Sequence, residues 1–262
     1  NGTHDHQGGW TVGGFNHIFV KLGFALCSLF LISCSHTIEF PTSRFAVPFV
    51  APDSLKGNVN ANISDPASIT VATNLDGNPP THGPVSVNTD NVDDLSDLIS
   101  ADAFSVGIEL TILGPVEIFY DSKMAGLRWQ VLGHGGGPGT WVASIQGGAT
   151  SFEETTNQSD YSASSKVKST QKGLSIGRQG EKVLAYVSYL EEDHSVETNI
   201  SNSNGAFGSY DDSGKHKIYS IGMSTYSSHF LIGLEYSYAN IEWETDVSDV
   251  HESLGLRLGF AW

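Results

Sequence analysis

A chain of 262 residues with a formal charge of −16 lacks the clustered Lys and Arg on which general nucleic-acid binding relies. Its 29 glycines, nine Tyr and five Trp, with only 16% charged residues, disfavour a helical protein. No stretch approaches the roughly 20 consecutive apolar residues of a spanning helix, so a membrane-integral form has to be a closed barrel, the other way to satisfy the backbone in lipid.

The first 20 residues fit no export signal. Lys21 then precedes an apolar run over 22–32, about a dozen residues, which is the length of a signal-peptide core and too short to span. The run ends in Leu31-Ile32-Ser33-Cys34. This resembles the bacterial lipobox, which implies cleavage before Cys34, a diacylglycerol on Cys34 and engagement of the lipoprotein-sorting machinery. In that family a residue other than Asp after the cysteine, here Ser35, implies export to the outer membrane. Residues 1–33 are then an upstream extension and signal peptide, 34–56 a lipidated N-terminus and linker, and 57–262 the folded domain. Cys27 leaves with the signal, so no disulfide is expected. Translation from Val20 would give a compact signal, and sequencing the precursor's N-terminus tests that expectation.

From residue 57 the pattern is period two, broken by turn chemistry. Val59, Ala61 and Ile63 alternate with Asn58, Asn60 and Asn62, and Ile69 and Val71 follow the break at Asp65-Pro66. Phe104, Val106, Ile108, Leu110 and Ile112 alternate with Ser105, Gly107, Glu109 and Thr111. Val116, Ile118 and Tyr120 alternate with Glu117, Phe119 and Asp121; Leu127, Trp129 and Val131 alternate with Gly126, Arg128 and Gln130. Further strands are expected over 141–152, 168–177, 182–190, 217–226, 230–243 and 252–262, which makes ten. Several have the 9–11 residues that a tilted strand needs to cross the hydrocarbon.

Short turns at 113–115, 134–139, 178–181 and 227–229 alternate with longer polar segments at 75–103, 153–167, 191–216 and 244–251; residues 121–124 are the short exception. Long loops on one side and tight turns on the other are the habit of outer-membrane barrels. An even strand number also returns the C-terminus to the periplasmic side, where the lipidated start is expected. Leu254, Leu256, Leu258, Phe260 and Trp262 close the chain as an alternating apolar strand with a terminal aromatic. This resembles the assembly signal of outer-membrane barrels and implies recognition by the barrel-assembly machinery. The expected fold is all-β, a transmembrane antiparallel up-and-down barrel of about ten strands. A soluble sandwich or lipocalin-like barrel shares the periodicity but turns its apolar face inward; Trp and Tyr near strand ends and the terminal strand favour the membrane form.

Glu109, Glu117, Arg128, Glu235 and Arg257 fall on the expected lumen face, where carboxylates and guanidiniums pair because unpaired buried charge is costly. Paired packing would plug the lumen; the alternative is a narrow passive pore for small solutes. The outer segments are acidic: Asp76, Asp90, Asp93, Asp94, Asp97 and Asp102 in one, and Glu191, Glu192, Asp193, Glu197, Asp211 and Asp212 in another. No cofactor or metal centre is expected, weak Ca²⁺ or Mg²⁺ at these acidic loops aside. Two matches to hydrolase motifs, His134-Gly135-Gly136-Gly137 and Gly173-Leu174-Ser175-Ile176-Gly177, lack the helix that a nucleophile elbow needs after its serine. Asp193-His194 beside Glu191 and Glu192 resembles the rim acids and His of omptin or lipid-modifying barrels, but no second acidic pair accompanies it. The chain reads as a non-enzymatic outer-membrane barrel lipoprotein with a structural or surface-interaction role. Its expected partners are outer-membrane lipid and lipopolysaccharide.

Overall fold

A computed structural model of the chain describes residues 35–74, 81–88, 104–121, 123–157, 161–202, 205–225, 229–245 and 247–262. The signal segment, Cys34 and most of the acidic stretch 75–103 lie outside the described residues. Ten strands close the barrel: β2 (Gly57–Ser64), β5 (Phe104–Leu113), β6 (Val116–Asp121), β7 (Met124–Leu132), β8 (Trp141–Asn157), β9 (Tyr161–Gln179), β10 (Val183–Asn202), β11 (Gly205–Thr225), β12 (Phe230–Trp243) and β13 (Ser248–Ala261). Each pairs antiparallel with the next, and β13 returns to β2. At that seam the Trp262 N–H donates to the Gly57 carbonyl at 3.0 Å, and the Gly57 N–H returns a bond to Trp262 at 3.4 Å.

The faces are inverted relative to a soluble protein. Val106, Ile108, Ile118, Leu127, Trp129, Ile145, Leu174, Val187, Ile221, Met223, Ile232, Leu234, Leu254 and Leu258 all point out and are exposed. Their strand neighbours Asn60, Asn62, Glu109, Glu117, Arg128, Gln146, Gln171, Glu235 and Arg257 are buried inside. Exposed apolar surface on this scale is stable only against another apolar phase. With a polar interior and no open edge, this is a transmembrane barrel. The soluble alternative is excluded by which face is buried. Leu254, Leu258, Phe260 and Trp262 lie on the outer face, and Leu256 is half-buried among them.

At the turn end, Gly133, Gly135 and Gly139 take positive φ values of 75°, 71° and 87°, which lets the 134–139 segment fold back within a few residues. At the opposite, loop end the wall is uneven. Strands β8 to β11 run 17, 19, 20 and 21 residues, against 6 for β6 and 9 for β7. The segments 153–167 and 191–216, expected as loops, are therefore mostly continuing strand. Their outward residues are polar because they stand clear of the hydrocarbon, so the alternation that marks a membrane strand fades while the ladder continues. Cross-strand charges hold this overhang: Glu191 meets Lys172 at 3.1 Å and Lys215 at 2.9 Å, and Lys166 lies opposite both Glu153 and Glu197. The acids of 191–216 are thus spread over two faces of a sheet and do not cluster in a loop.

The largest departure from expectation concerns residues 35–56. They do not form a linker beside the barrel. Strand β1 (Ser35–Pro41) pairs with β3 (Pro66–Asn74), which pairs with β4 (Thr81–Asn88), giving a small sheet at the loop end. Ile38 and Phe40 of β1 and Ala67 and Ile69 of β3 pack against inward Val167, Leu190, Val196, Ile218, Ile241 and Trp243, so the overhang encloses an apolar core of its own. After Pro41 the chain descends the lumen. The Thr42 hydroxyl donates to Ser253 (3.0 Å), the Val50 N–H to Gln130 (2.8 Å), and Leu55 and Lys56 bond the Thr111 backbone at the turn end (2.9 and 2.8 Å). Ser35 and Trp262 consequently lie at opposite ends of the barrel, so the expectation that the start of the mature chain and the C-terminus share one side is not met. A segment without period-two alternation gives no sign that it belongs inside a sheet.

Candidate functional site in the barrel lumen

The plug, residues 42–50, is held by the lumen wall at a few points. Glu235 is its main clasp. Its Oε1 accepts from the Arg44 N–H (3.0 Å), the Phe45 N–H (2.9 Å), the Ser43 hydroxyl (3.1 Å) and the Ser237 hydroxyl (3.2 Å), while Oε2 accepts from the Tyr186 hydroxyl (2.8 Å). The sequence reading pairs Glu235 with a guanidinium; here it satisfies backbone donors of an irregular segment that has no ladder of its own. Phe45 sits at a φ of 44°, a left-handed conformation that costs an aromatic residue of order 1 kcal/mol or more. Two anchored N–H groups hold it there, and its ring fills a notch over Gly255 and Gly233, where a Cβ at Gly255 would meet Phe45 Cζ at 2.9 Å. The Arg257 guanidinium lies over the same ring at 4.7 Å.

The other predicted lumen charges come together below the plug. Arg128 donates to Glu117 at 2.6 Å and to Glu109 at 3.5 Å; Arg257 donates to Glu109 at 2.9 Å and to Asn62 at 3.0 Å. All four side chains are buried, so each charge is compensated where removal of one partner would strand another. Beneath them opens a vestibule of about 570 Å³ at the turn end, reached by Glu109, Glu117, Arg257, Phe49 and Trp262. From Glu117 a continuous polar chain climbs the wall: Arg128 to Gln146 (3.2 Å), Gln146 to Gln171 (2.9 Å), Gln171 to Glu192 (2.7 Å). Arg44 of the plug meets Glu192 with two bonds, Nε at 2.8 Å and Nη2 at 3.0 Å.

Glu192 begins the third cluster. It shares the inner face of β10 with His194, and lies directly opposite His216 of β11. The two imidazole rings are 4.2 Å apart between centroids, and Phe40 packs edge-on against both. The outward residues at this height are Asp193, Lys215 and Glu242, so the cluster stands beyond the apolar belt and above the Tyr189–Tyr219 pair. Burial, then the Arg44 cation, pushes the His194 imidazole down to about 3. Burial also holds His216 well below the usual His range, reinforced by His194.

The Asp193-His194 pair considered as rim catalysis is split by the pleat: His194 is buried in the lumen while Asp193 faces solvent. Ser169 Oγ lies 2.7 Å from His194 Nδ1, and His194 Nε2 lies 3.6 Å from Glu192. The trio has hydrolase residue types, and Ser169 is buried. Ser175 of the G-x-S-x-G match lies mid-strand in β9 and bonds Ser144 at 2.8 Å, with no elbow. Nothing in the local sequence marks His216, Arg44 or the plug. The Glu-x-His spacing at 192 and 194 was the available signal, since alternate strand residues share a face.

No family model matches the chain, and no curated protein is found similar to it. Several solved structures are similar to it at a distance. Ail of Yersinia pestis is 13% identical over 80% of this chain and all of Ail, with a TM-score of 0.31. Ail in complex with the heparin analogue sucrose octasulfate gives 14%, the same coverage and 0.36. The outer-membrane channel DcaP of Acinetobacter baumannii is 8% identical over 81% of this chain, with a TM-score of 0.20. Likenesses this distant decide nothing about the role of this chain.

Proposed function

We propose that this protein is an outer-membrane β-barrel lipoprotein with a structural or surface-interaction role, its barrel closed by its own N-terminal segment. The observation that carries this reading is the plug. Residues 42–50 occupy the lumen and are tied to it by buried bonds at Glu192, Glu235 and Gln130. A passive pore needs a continuous polar path, and the side chains that would line one are spent on pairing and on holding the plug. What remains available for recognition is the overhang of β8 to β11, a polar sheet rising beyond the apolar belt, with alternating Lys and Glu on its outer face. Lipid and lipopolysaccharide are the expected partners of the belt and its outer margin, and the barrel-assembly machinery that of the final strand. Cys34 is the proposed acylation site.

Planar-bilayer recording tests this function. The intact protein should show no steady unitary current, and a variant lacking residues 35–53 should conduct. Steady currents from the intact protein, altered by Arg128 or Glu117 substitution, would overturn the closed barrel in favour of the pore. The protein should fractionate with outer membranes and migrate heat-modifiably on gels, with fatty-acid labelling dependent on Cys34.

A further inference from the structure

We propose that Glu192, His194 and His216 form a binding site for a divalent transition-metal ion of the zinc class, inside the barrel overhang. The ligand atoms of these three buried side chains lie within 4.8 Å of one another. Three imidazole nitrogens there, His194 Nε2 and both nitrogens of His216, are buried and lack a hydrogen-bond partner among the described residues. Unsatisfied buried polar atoms are costly, so three at one place call for a ligand. Phe40 and Trp243 are the rings packed against them, and the Trp243 indole N–H is itself buried without a hydrogen-bond partner among the described residues.

The acceptor arithmetic agrees. Oε1 of Glu192 already takes two donors, Arg44 Nε and Gln171 Nε2, while Oε2 takes only Arg44 Nη2. One lone pair of Oε2 remains, and it is this oxygen that lies 3.6 Å from His194 Nε2. Ligands about 2.0–2.1 Å from a tetrahedral zinc ion are about 3.4 Å apart, so this separation is close to that of a ready-made edge of the coordination polyhedron. His194 is also braced as a metal-binding imidazole is: Nδ1 is engaged by Ser169 at 2.7 Å, which leaves Nε2 for the ion. Arg44 and Gln171 orient the carboxylate in the same way. Two imidazoles and one carboxylate select zinc or its neighbours in the transition series over Ca²⁺ and Mg²⁺, which prefer all-oxygen sets. A fourth position is left for water or a small anion. A cavity of about 520 Å³ on the outer side of the overhang, lined by His194, Lys215 and Trp243, lies next to the cluster.

The test uses the full chain, folded in detergent and stripped with chelator. One Zn²⁺ per chain should be retained after desalting, and Co²⁺ should give the intense visible bands of a tetrahedral site. His216→Phe and the double variant His194→Ala with His216→Ala should lose both signals while remaining heat-modifiable. Ser169→Ala should weaken Zn²⁺ binding roughly 10- to 100-fold, as loss of an orienting partner does. Should the His variants fail to fold, the parent's cobalt spectrum still decides. Absence of stoichiometric zinc and of cobalt bands in the parent, or zinc retained in the double variant, would overturn the site.

Discussion

Replacing Glu235 by Ala should release the plug. The carboxylate accepts five hydrogen bonds, and two of the donors, the Ser43 and Ser237 hydroxyls, can rotate to other acceptors; Ser220 is already 2.9 Å from Ser237. The Arg44 and Phe45 N–H groups, fixed by the backbone, cannot. Two orphaned donors at about 1–3 kcal/mol each amount to roughly 2–6 kcal/mol if the plug stays where it is. Phe45 adds its left-handed strain, which the Glu235 clasp no longer opposes. Ejection relieves these costs together, so the variant should settle with the segment outside the lumen. Trypsin reports the change. Arg44 is 7% exposed in the folded protein and protected, whereas Lys56 at the turn end is exposed and serves as the internal control. Glu235→Ala should yield a product beginning at Phe45. Glu235→Gln keeps an acceptor oxygen for the two backbone donors and turns its amide toward the Tyr186 oxygen, so it should stay protected. Protection of Arg44 in Glu235→Ala, with an unchanged urea midpoint, would refute the reasoning.

Three further outcomes follow from the wall. Leu234→Arg puts a guanidinium on the lipid face between the turn end and the Tyr219–Tyr238 pair, and should destabilise the barrel in vesicles by about 2–4 kcal/mol. Asp193→Arg, beyond the belt, loses its pair with Lys215 and sets a second cation opposite it, which should cost at most about 1 kcal/mol; equal effects at the two sites would contradict the placement of the membrane. Arg128→Met strands Glu117 and part of the Glu109 charge and should cost about 3–5 kcal/mol in urea titrations; a neutral result would mean the network is hydrated from the vestibule. Deleting Trp262 removes two bonds at the seam, worth roughly 1–3 kcal/mol together, and should lower folding yield into vesicles on a band-shift gel.

How much of this was legible depends on which contacts the chain encodes locally. The barrel strands follow from alternation at positions such as 104–112 and 252–262, because a lipid face and a polar lumen impose opposite chemistry on consecutive residues, while which face turns outward rests on the aromatics near strand ends and the terminal strand. The overhang breaks that code. Outward Glu191 and Asp193 and inward Glu192 and His194 are all polar, so hydrophobicity no longer separates the faces and only the register does. The plug was hidden for another reason: Thr42, Arg44 and Phe45 are placed by Ser253, Glu192 and Glu235, each roughly 150–210 positions away, and nothing next to them states it. His216 likewise joins Glu192 only through a pairing of β10 with β11.

The route of residues 42–56 also constrains the order in which the molecule is made. The segment precedes β2 directly, and β2 is the strand that β13 must find to complete the cylinder. Once that seam closes, the plug cannot be drawn in sideways; it has to be inside the curling sheet already, or be passed lengthwise through the finished ring. The first course makes Arg44 and Phe45 a template around which Glu192 and Glu235 gather, and the strand that seals the wall then does so over a core that is already filled.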